Sequence, residues 1–278
     1  MLKIAGGRFQ ARIRPCKTYT KRKLMETFEI GIIGGTGGIG KWFAGFFTEE
    51  GYTVHVSGRR TGLSINEMAR VCRVVIISVP INVTNAVIEE IGPKMKEDSL
   101  LMDFTSLKEE PVRAMLASSR SEVMGCHPLF GPDVPSIEGL NIALCPARID
   151  RWNGWPEGVF RKRGAHVFEV EPRKHDEMMS IIQGLNHLDT ITLGLTLKET
   201  GVDPAELKEF STPIFDTKLA IIEKVCTQNP RLYADIITGN PDINRLIAIY
   251  EQSLSKLKAL VEKNDAEGLT ELIKSSFE

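Results

Sequence analysis

A glycine-rich loop between an apolar strand and a helix is the feature that most constrains the fold of this chain. The apolar segment 28–33 runs directly into the loop 34–40, and residues 41–47 then place apolar side chains on one helical face. The loop contains the G-x-G-x-x-G spacing of a dinucleotide-binding turn, in which backbone amides approach a pyrophosphate at a helix N-terminus. This setting predicts a Rossmann-like domain. The expected cofactor contacts in the loop are Gly35, Thr36, Gly37, Gly38, Ile39 and Gly40.

Further apolar strands that alternate with helical segments predict an α/β fold with a mostly parallel sheet. Residues 52–56, 74–79 and 100–104 are strand-like, and a short strand is expected at 122–125. Sheets of this type bind ligands at the carboxyl ends of their strands. We therefore expect additional cofactor contacts from Ser78, Val79, Pro80 and Thr105.

The end of the second strand bears on which nicotinamide cofactor would bind. NAD sites usually have an acidic residue there, which accepts hydrogen bonds from the ribose, but this strand ends in Ser57-Gly58-Arg59-Arg60. Two arginines can bind a 2′-phosphate that a carboxylate would repel. The pattern favours NADP, with NAD as the alternative and with contacts from Ser57, Arg59 and Arg60. Otherwise both arginines are solvated surface residues.

Two polar side chains follow strands at the same predicted edge of the sheet. Ser106 follows the strand at 100–104, and His127 lies in the segment 125–132, which has the sequence Gly-Cys-His-Pro-Leu-Phe-Gly-Pro. Because proline lacks an amide donor and glycine loosens the backbone, we expect a stiff loop that begins after Gly125. An imidazole held in such a loop is a candidate reactive group. Ser106 could equally cap the helix that follows it.

Composition and charge exclude several classes of protein. The net charge of −1 gives no sign of nucleic-acid binding, and no apolar run approaches the ~18 residues of a membrane span. The five cysteines form no C-x-x-C pair, so neither a metal site nor a disulfide framework is indicated, and a cytoplasmic location is expected. Residues 1–25 carry eight basic and no acidic side chains. They fit a transit-like leader, a basic arm or a dispensable extension, and we expect activity without residues 1–24.

The last hundred residues are predicted to be almost entirely helical. Short strands at 141–144 and 166–170, with a surface loop at 152–156 between them, extend the first domain. Helices are then expected at 173–198, 205–209, 213–227, 231–237, 242–263 and 265–276. Apolar helix faces with no sheet to cover predict packing against each other and against a second copy. We therefore divide the chain into a basic extension (1–27), a dinucleotide-binding domain (28–171) and a helical substrate and dimerisation domain (172–278).

Several further motifs follow in order along the chain. They are Ser78-Val79-Pro80, Val83-Thr84, 103–108, 127–132, His175-Asp176, Gln183 with His187, 211–214 and 232–236. Together with the glycine loop, this series resembles the prephenate dehydrogenase family of tyrosine biosynthesis from about residue 28 to residue 277. The dehydrogenase part of the enteric bifunctional type is the most similar. That type has a chorismate mutase domain in front, which the 27 residues before Phe28 cannot contain.

The resemblance implies the oxidative decarboxylation of prephenate to 4-hydroxyphenylpyruvate, with hydride transfer to NAD(P). It implies that His127 is the catalytic histidine that hydrogen-bonds the C4 hydroxyl, and that Ser106 supports this contact. A neutral imidazole stabilises the positive charge that hydride departure leaves at C4. Activity is then expected to rise with pH through a value near ~6.5 unless the site perturbs the histidine.

The resemblance also places the substrate pocket in the helical domain. The implied substrate-binding residues are Lys224, His187, His175, Gln183, Thr212, Gln228 and Tyr233. The enteric type has arginines where this chain has Asp216 and Lys224, and a lysine keeps the charge but loses the bidentate fork. Taken singly, Gln183, His187, Gln228 and Tyr233 could instead be structural residues of packed helices.

Three other functions remain open. Arogenate dehydrogenase differs only in an amine on the substrate side chain, which Asp216 could favour. A β-hydroxyacid dehydrogenase shares the sheet and the helical domain but lacks the His-Pro-x-Phe-Gly segment. A non-enzymatic, nicotinamide-sensing regulator would need neither His127 nor Ser106.

Overall fold

The structure, a computed structural model, describes residues 28–58 and 63–276. Seven strands form one sheet in the order β2-β1-β3-β4-β5-β6-β7. The strands are β1 (Glu29–Ile33), β2 (Thr53–Ser57), β3 (Val74–Ile77), β4 (Leu100–Asp103), β5 (Glu122–Pro128), β6 (Asn141–Arg148) and β7 (His166–Glu169). Only β5 and β6 pair antiparallel; every other neighbouring pair is parallel. The predicted mostly parallel sheet is confirmed.

Helices cover both faces of the sheet. They are α1 (Gly38–Glu49), α2 (Ile65–Val71), α3 (Ile81–Ile91), α4 (Glu109–Ser118) and α5 (Trp155–Lys162), with a 3₁₀ turn at Gly92–Lys94. Phe43 and Phe47 of α1 and Phe160 of α5 pack on one face of the sheet. Met68 of α2, Ile88 of α3 and Met115 of α4 pack on the other. Because both faces are buried, the central strands are continuously apolar, as parallel sheets require.

Residues 152–156 do not form the expected surface loop. Trp152 and Trp155 are only 6% and 9% exposed, and both pack edge-on against Phe28. The Trp155 indole donates a hydrogen bond to the Tyr52 hydroxyl at 2.9 Å. Trp155 also begins α5, a helix that the sequence did not predict. Burial of the two indoles stabilises this segment more than a surface turn at the residues between them would.

Strand β5 is longer than predicted and contains His127 itself. Within the antiparallel ladder His127 pairs with Ala143 and Pro128 pairs with Ile142. Pro128 is tolerated because it is the last residue of the strand. The expectation of a loop after Gly125 was wrong. It considered the amide that proline lacks, but it did not consider that pairing with β6 keeps His127 and Pro128 in the strand. Strand β6 likewise extends to Arg148 rather than ending at residue 144.

The remainder of the described chain is helical, as predicted. The helices are α6 (Pro172–Met179), α7 (Asn186–Glu199), α8 (Pro204–Glu209), α9 (Pro213–Thr227), α10 (Pro230–Gly239), α11 (Ile243–Glu262) and α12 (Ala266–Ser275). A π-helical segment, Ser180–Leu185, joins α6 to α7 and was not predicted. Four of these helices begin with proline at the first helical position, where its missing amide costs nothing. Among the described residues, no helix combines the length and apolar character needed to cross a membrane.

Candidate active site

Several of the predicted site residues lie at the carboxyl edge of the sheet. The glycine loop follows β1, Ser78 follows β3, and Ser106 follows β4. His127 lies near the carboxyl end of β5, and the parallel register of β3, β4 and the first part of β5 brings these ends together. A side chain from the helical half, His175 of α6, reaches the same edge. The site therefore lies between the sheet and the helices.

The glycine loop is tightly packed against backbone carbonyl oxygens at Gly34 and Gly40 and is exposed at Gly37. Gly34 has φ +85°, and a Cβ there would lie 2.3 Å from the Ser78 carbonyl oxygen. A Cβ on Gly40 would lie 2.5 Å from the Gly34 carbonyl oxygen. At exposed Gly37, by contrast, the nearest atom to an added Cβ would be 3.5 Å away. Gly37 also caps α1 without a side-chain hydrogen bond, so the first amides of α1 remain available to an anion. This geometry fits a dinucleotide pyrophosphate.

Other predicted cofactor contacts surround this loop. Thr36 and Gly38 are exposed, and Ile39, Ser78 and Val79 are half-buried. The Ser57 carbonyl oxygen accepts the Gly34 amide at 2.8 Å, which holds the end of β2 against the loop. Pro80 caps α3 from an exposed position. Arg59 and Arg60 lie outside the described residues.

His127 belongs to a buried chain of three hydrogen-bonded side chains. Its Nδ1 lies 2.9 Å from Nε2 of His175, whose Nδ1 lies 2.7 Å from Oδ1 of Asp176. The three residues are 3%, 2% and 2% exposed. The Asp176 carboxylate also accepts the backbone amides of Lys108 and Glu109 at 2.8 and 2.9 Å. Asp176 therefore caps the N-terminus of α4 and fixes the position of α6 on the sheet.

This chain determines which nitrogen of His127 can accept a hydrogen bond. An ionised carboxylate only accepts, so His175 donates from Nδ1 to Asp176 and its Nε2 is the acceptor when the ring is neutral. His127 then donates from Nδ1, which leaves its Nε2 without a proton. Burial, the neighbouring His175 and the positive charge of Lys108 hold the pKa of His127 well below its ordinary value. The His127 ring is therefore neutral at neutral pH, as its predicted chemistry requires.

A buried ion pair lies beneath His127. The Lys108 ammonium contacts Oδ2 of Asp103, and both side chains are fully buried. Lys108 also donates to the carbonyl oxygen of Cys126, the residue before His127, at 3.1 Å. The backbone amide of Thr105 donates to the same Asp103 oxygen at 3.0 Å, and its hydroxyl contacts that oxygen as well. This network fixes the β5 backbone where His127 leaves it, and it places the Thr105 hydroxyl in the ion-pair network.

Two of these residues were not identified as site residues from the sequence. Asp176 and Lys108 lie in the motifs 175–176 and 103–108, so the sequence did single out the segments that contain them. Their roles depend on contacts across 68 residues of chain, which no local pattern reveals.

The structure also decides whether Ser106 caps the helix that follows it. Lys108 is the N-cap of α4 and Asp176 binds the free amides, so half-buried Ser106 does not cap this helix.

The residues expected to bind substrate form two groups. His187 of α7 packs edge-on against Tyr233 of α10, with ring centroids 4.7 Å apart. Burial lowers the pKa of His187. Gln183 lies in the π-helical segment, and its Oε1 is buried with no hydrogen-bond partner among the described residues. His187 and Tyr233 are thus in contact, and Gln183 precedes His187 by four residues along the same helical stretch.

The second group lies on α9 and is exposed in a single subunit. The Thr212 hydroxyl caps α9 by accepting the Phe215 amide at 3.3 Å. Lys224 and Gln228 are exposed, and in the described part of the chain no ion pair involves Lys224. No hydrogen bond described in the structure joins α9 to His127. Within the described residues, the expected carboxylate-binding lysine is therefore not hydrogen-bonded to the histidine chain.

Comparison with known proteins agrees with this architecture. Residues 49–153 match the family model of the prephenate dehydrogenase nucleotide-binding domain, and residues 171–275 match that of the prephenate dehydrogenase dimerization domain. A probable arogenate/prephenate dehydrogenase of Methanocaldococcus jannaschii is 38% identical over 266 residues, which cover 89% of this chain and 60% of that protein. The T-protein of Haemophilus influenzae is 32% identical over 243 residues, covering 87% and 64%. The chain thus spans less than two thirds of either relative.

Solved structures with low sequence identity show the same fold. The prephenate dehydrogenase of A. aeolicus, in complex with hydroxyphenyl propionate and NAD+, aligns with a TM-score of 0.76 at 20% identity, over 91% of this chain and 96% of that one. The arogenate dehydrogenase of Synechocystis aligns with a TM-score of 0.68 at 18% identity, over 89% and 97%. Two models of one family match in series, one on the nucleotide-binding half and one on the helices. The chain therefore belongs to the prephenate dehydrogenase family.

Proposed function

We propose that this protein is a prephenate dehydrogenase, which converts prephenate to 4-hydroxyphenylpyruvate and CO₂ while a nicotinamide cofactor is reduced. The observation that carries the proposal is the buried chain from Asp176 through His175 to His127, which ends at the carboxyl edge of the sheet beside the glycine loop. A neutral imidazole with an unprotonated Nε2 is the acceptor that the C4 hydroxyl of prephenate needs. The names of the relatives and the family models support the same substrate.

The proposed mechanism uses His127 as a hydrogen-bond acceptor. A nicotinamide held at the glycine loop would supply the acceptor for the hydride that leaves C4 of the substrate. As the hydride leaves, positive charge develops on C4 and its oxygen, and the hydroxyl bonds more strongly to the neutral His127 ring. Loss of the ring carboxylate as CO₂ returns an electron pair to the ring, neutralises that charge and makes the ring aromatic. Half-buried Ser106, at the same edge, supports the hydroxyl.

His175 and Asp176 act by holding His127 in the correct tautomer. The Asp176 carboxylate accepts two backbone amides and one imidazole proton, and these contacts fix its position. His175 relays this constraint, so that Nδ1 of His127 keeps its proton and Nε2 stays free of one. Of the site residues in our proposal, only His127 and Ser106 contact the reacting hydroxyl.

The helical side supplies the substrate pocket in our proposal. Gln183 has a buried, unpartnered carbonyl oxygen that a substrate hydroxyl could satisfy, and the neighbouring His187 and Tyr233 complete a polar wall. Lys224 and Gln228, one turn apart at the carboxyl end of α9, bind a substrate carboxylate once a second subunit packs against this helix, whereas Thr212 caps its opposite end. The exposed apolar side chains of the helical half support such a homodimer.

NADP is the cofactor we propose, with NAD as the alternative. A Cβ on Gly58 would lie 2.5 Å from the Thr36 hydroxyl, so the chain leaves β2 in contact with the glycine loop. Arg59 follows immediately. Replacing Arg59 with alanine is expected to weaken NADP binding ~10-fold or more, because a charge-assisted bond contributes ~1.5–3 kcal/mol. NAD binding should be unchanged, with Arg70→Ala, an exposed arginine of α2, as the control. Equal losses for both cofactors would contradict the NADP assignment.

The decisive experiment measures turnover of prephenate and of arogenate, each with NAD and with NADP. We expect reduced cofactor and CO₂ in equal amounts with prephenate. His127→Asn should keep cofactor affinity while turnover falls by ~10² or more, because the asparagine cannot replace the imidazole acceptor. Turnover unaffected by His127→Asn, or no turnover with either substrate, would overturn the proposal.

Arogenate is the second candidate substrate, favoured by one residue. Asp216 lies in the first turn of α9, is exposed and makes no ion pair within the described chain. A free carboxylate at the position of an arginine suits a substrate with an ammonium group. Higher kcat/KM for arogenate than for prephenate, lost in Asp216→Asn, would select this alternative.

A further inference from the structure

Three side chains with metal-binding atoms meet far from the carboxyl edge. Glu29 is the first residue of β1, His55 lies in the middle of β2, and Cys72 follows α2 immediately before β3. The carboxylate oxygen, the imidazole nitrogen and the thiol sulfur all lie within 4.8 Å of one another. The group lies under α2, since a Cβ on Gly31 would contact both Met68 of α2 and the Cys72 sulfur. It is separate from the His127 site.

The polar atoms of this group have unmet bonding capacity. Nε2 of His55 is shielded from solvent and makes no hydrogen bond with any residue that the structure describes. The nearest carboxylate oxygen of Glu29 is 3.4 Å away. The Cys72 side chain is buried, and its sulfur can satisfy the imidazole only weakly.

The arrangement matches the coordination chemistry of zinc. Zinc takes sulfur at ~2.3 Å and nitrogen or carboxylate oxygen at ~2.0–2.2 Å in a tetrahedron, so ligand atoms lie roughly 3.3–3.6 Å apart. The 3.4 Å between Glu29 and His55 already has this value. The Glu29 side chain is half-exposed, so its carboxylate can move closer to the Cys72 sulfur. The solvent-exposed side of the carboxylate leaves room for a water as the fourth ligand.

We propose that Glu29, His55 and Cys72 form a zinc-binding site that joins β1, β2 and the end of α2. Binding converts the Cys72 thiol to a thiolate, whose proton passes to solvent, and the thiolate and the Glu29 carboxylate together neutralise the ion. Because the site lies away from the carboxyl edge, zinc stabilises the nucleotide-binding half and takes no part in hydride transfer. The proposal does not depend on the proposed function.

Calorimetric titration of the untagged, metal-stripped protein with zinc tests the site. We expect one ion per chain, and titrations in two buffers of different ionisation enthalpy should show about one proton released per ion. Cobalt substitution should add a thiolate-to-cobalt charge-transfer band and should raise the unfolding temperature.

Matched variants separate this site from adventitious binding. Cys72→Ser should abolish the charge-transfer band, and Glu29→Gln and His55→Gln should each lower affinity by more than the ~10-fold that loss of an outer-shell partner costs. Cys226→Ser, which removes an exposed cysteine elsewhere, should bind like the parent. Glu29 is half-exposed, so its variant is expected to fold and to report on binding even if Cys72→Ser is destabilised.

Three results would overturn the proposed zinc site. Zinc binding that is unchanged in Glu29→Gln and His55→Gln, or a charge-transfer band that persists in Cys72→Ser, would overturn the proposal. So would the absence of binding at micromolar zinc. Prephenate turnover is measured separately with stripped and zinc-loaded protein and should agree within about twofold, since no ligand lies at the carboxyl edge. A failed metal titration therefore leaves the dehydrogenase proposal intact, and the reverse also holds.

Discussion

At the scale of single residues, the neighbours of His127 set its charge state and its tautomer. A histidine in solution is half-protonated near ~6.5, whereas the pKa of this one is lowered by burial, by His175 and by Lys108. The same contacts assign its tautomer, because Asp176 can only accept hydrogen bonds. Charge state and proton position are thus both set by neighbours that lie apart in the sequence.

The acid limb of the pH profile tests this environment. Protonated His127 cannot accept a hydrogen bond, so kcat/KM falls as the pH drops through its pKa. Because that pKa is lowered, we expect full activity to persist below pH ~6.5, in contrast to the value for an unperturbed histidine. The measurement is kcat/KM for prephenate from acidic to neutral pH, with the stability of the enzyme checked at each pH. A limb at or above ~6.5 would contradict a buried, neutral His127.

One variant tests both the positioning role that we propose for Asp176 and its structural role as the cap of α4. Asp176→Asn removes the charge that orients His175, so we expect kcat to fall by on the order of 10² with little change in cofactor affinity. The weaker cap on α4 should lower the free energy of unfolding by ~1–2 kcal/mol. Steady-state kinetics and chemical denaturation measure the two effects. Asp265→Asn is the control, because the Asp265 side chain caps α12 by accepting the Gly268 amide and makes no described contact with α4 or α6. Loss of stability with unchanged kcat would make Asp176 purely structural.

At the scale of elements, two irregular features position the site. The antiparallel partner β6 extends β5 as far as Pro128, which holds His127 in a ladder rather than in a loop. The π-helical segment Ser180–Leu185 places Gln183 and His187 on a helix that is locally widened. Such segments inside α-helices are frequent at functional sites.

The aromatic start of α5 is testable as a structural element. Trp155 packs against Phe28, Phe47 and Tyr52 and is almost fully buried. Trp155→Ala should therefore lower the free energy of unfolding by ~3–5 kcal/mol, as core tryptophan truncations do. Denaturant unfolding measures the change, and Trp155→Phe should cost much less. A change within ~0.5 kcal/mol would indicate a surface residue.

At the scale of the whole molecule, several helices of the carboxyl-terminal half expose large apolar side chains. Leu254 and Val261 lie seven residues apart on one face of α11, and both are mostly exposed. Phe210 and Ile214, at either side of the start of α9, are exposed as well. Because large exposed apolar patches mark interaction sites, we propose that the subunit contact includes these faces of α9 and α11.

Charges introduced on α11 test this contact. Replacing Leu254 and Val261 with glutamate should weaken dimerisation by at least ~100-fold, because each buried side chain contributes ~1.5–3 kcal/mol. KM for prephenate should rise in the monomer if the second subunit completes the pocket around Lys224. Sedimentation and light scattering measure the assembly, with Gln252→Glu as the exposed control on the same helix. A parent protein that is monomeric at micromolar concentration would contradict the proposed homodimer.

The sequence by itself determined the seven strands along the chain, most of the helices, the glycine loop, the His-Pro segment and the family resemblance. These depend on local spacing: period 3.6 in the helices, continuous apolar runs in the strands, and glycines where a side chain would collide with the Ser78 or Gly34 carbonyl. Only the tertiary structure decided the burial of Trp152 and Trp155, the Asp176–His175–His127 chain, the Lys108–Asp103 pair and the meeting of Glu29, His55 and Cys72. Each of these depends on contacts between residues that chain folding brings together, and burial then changes their charge state. No pattern along the chain encodes that environment.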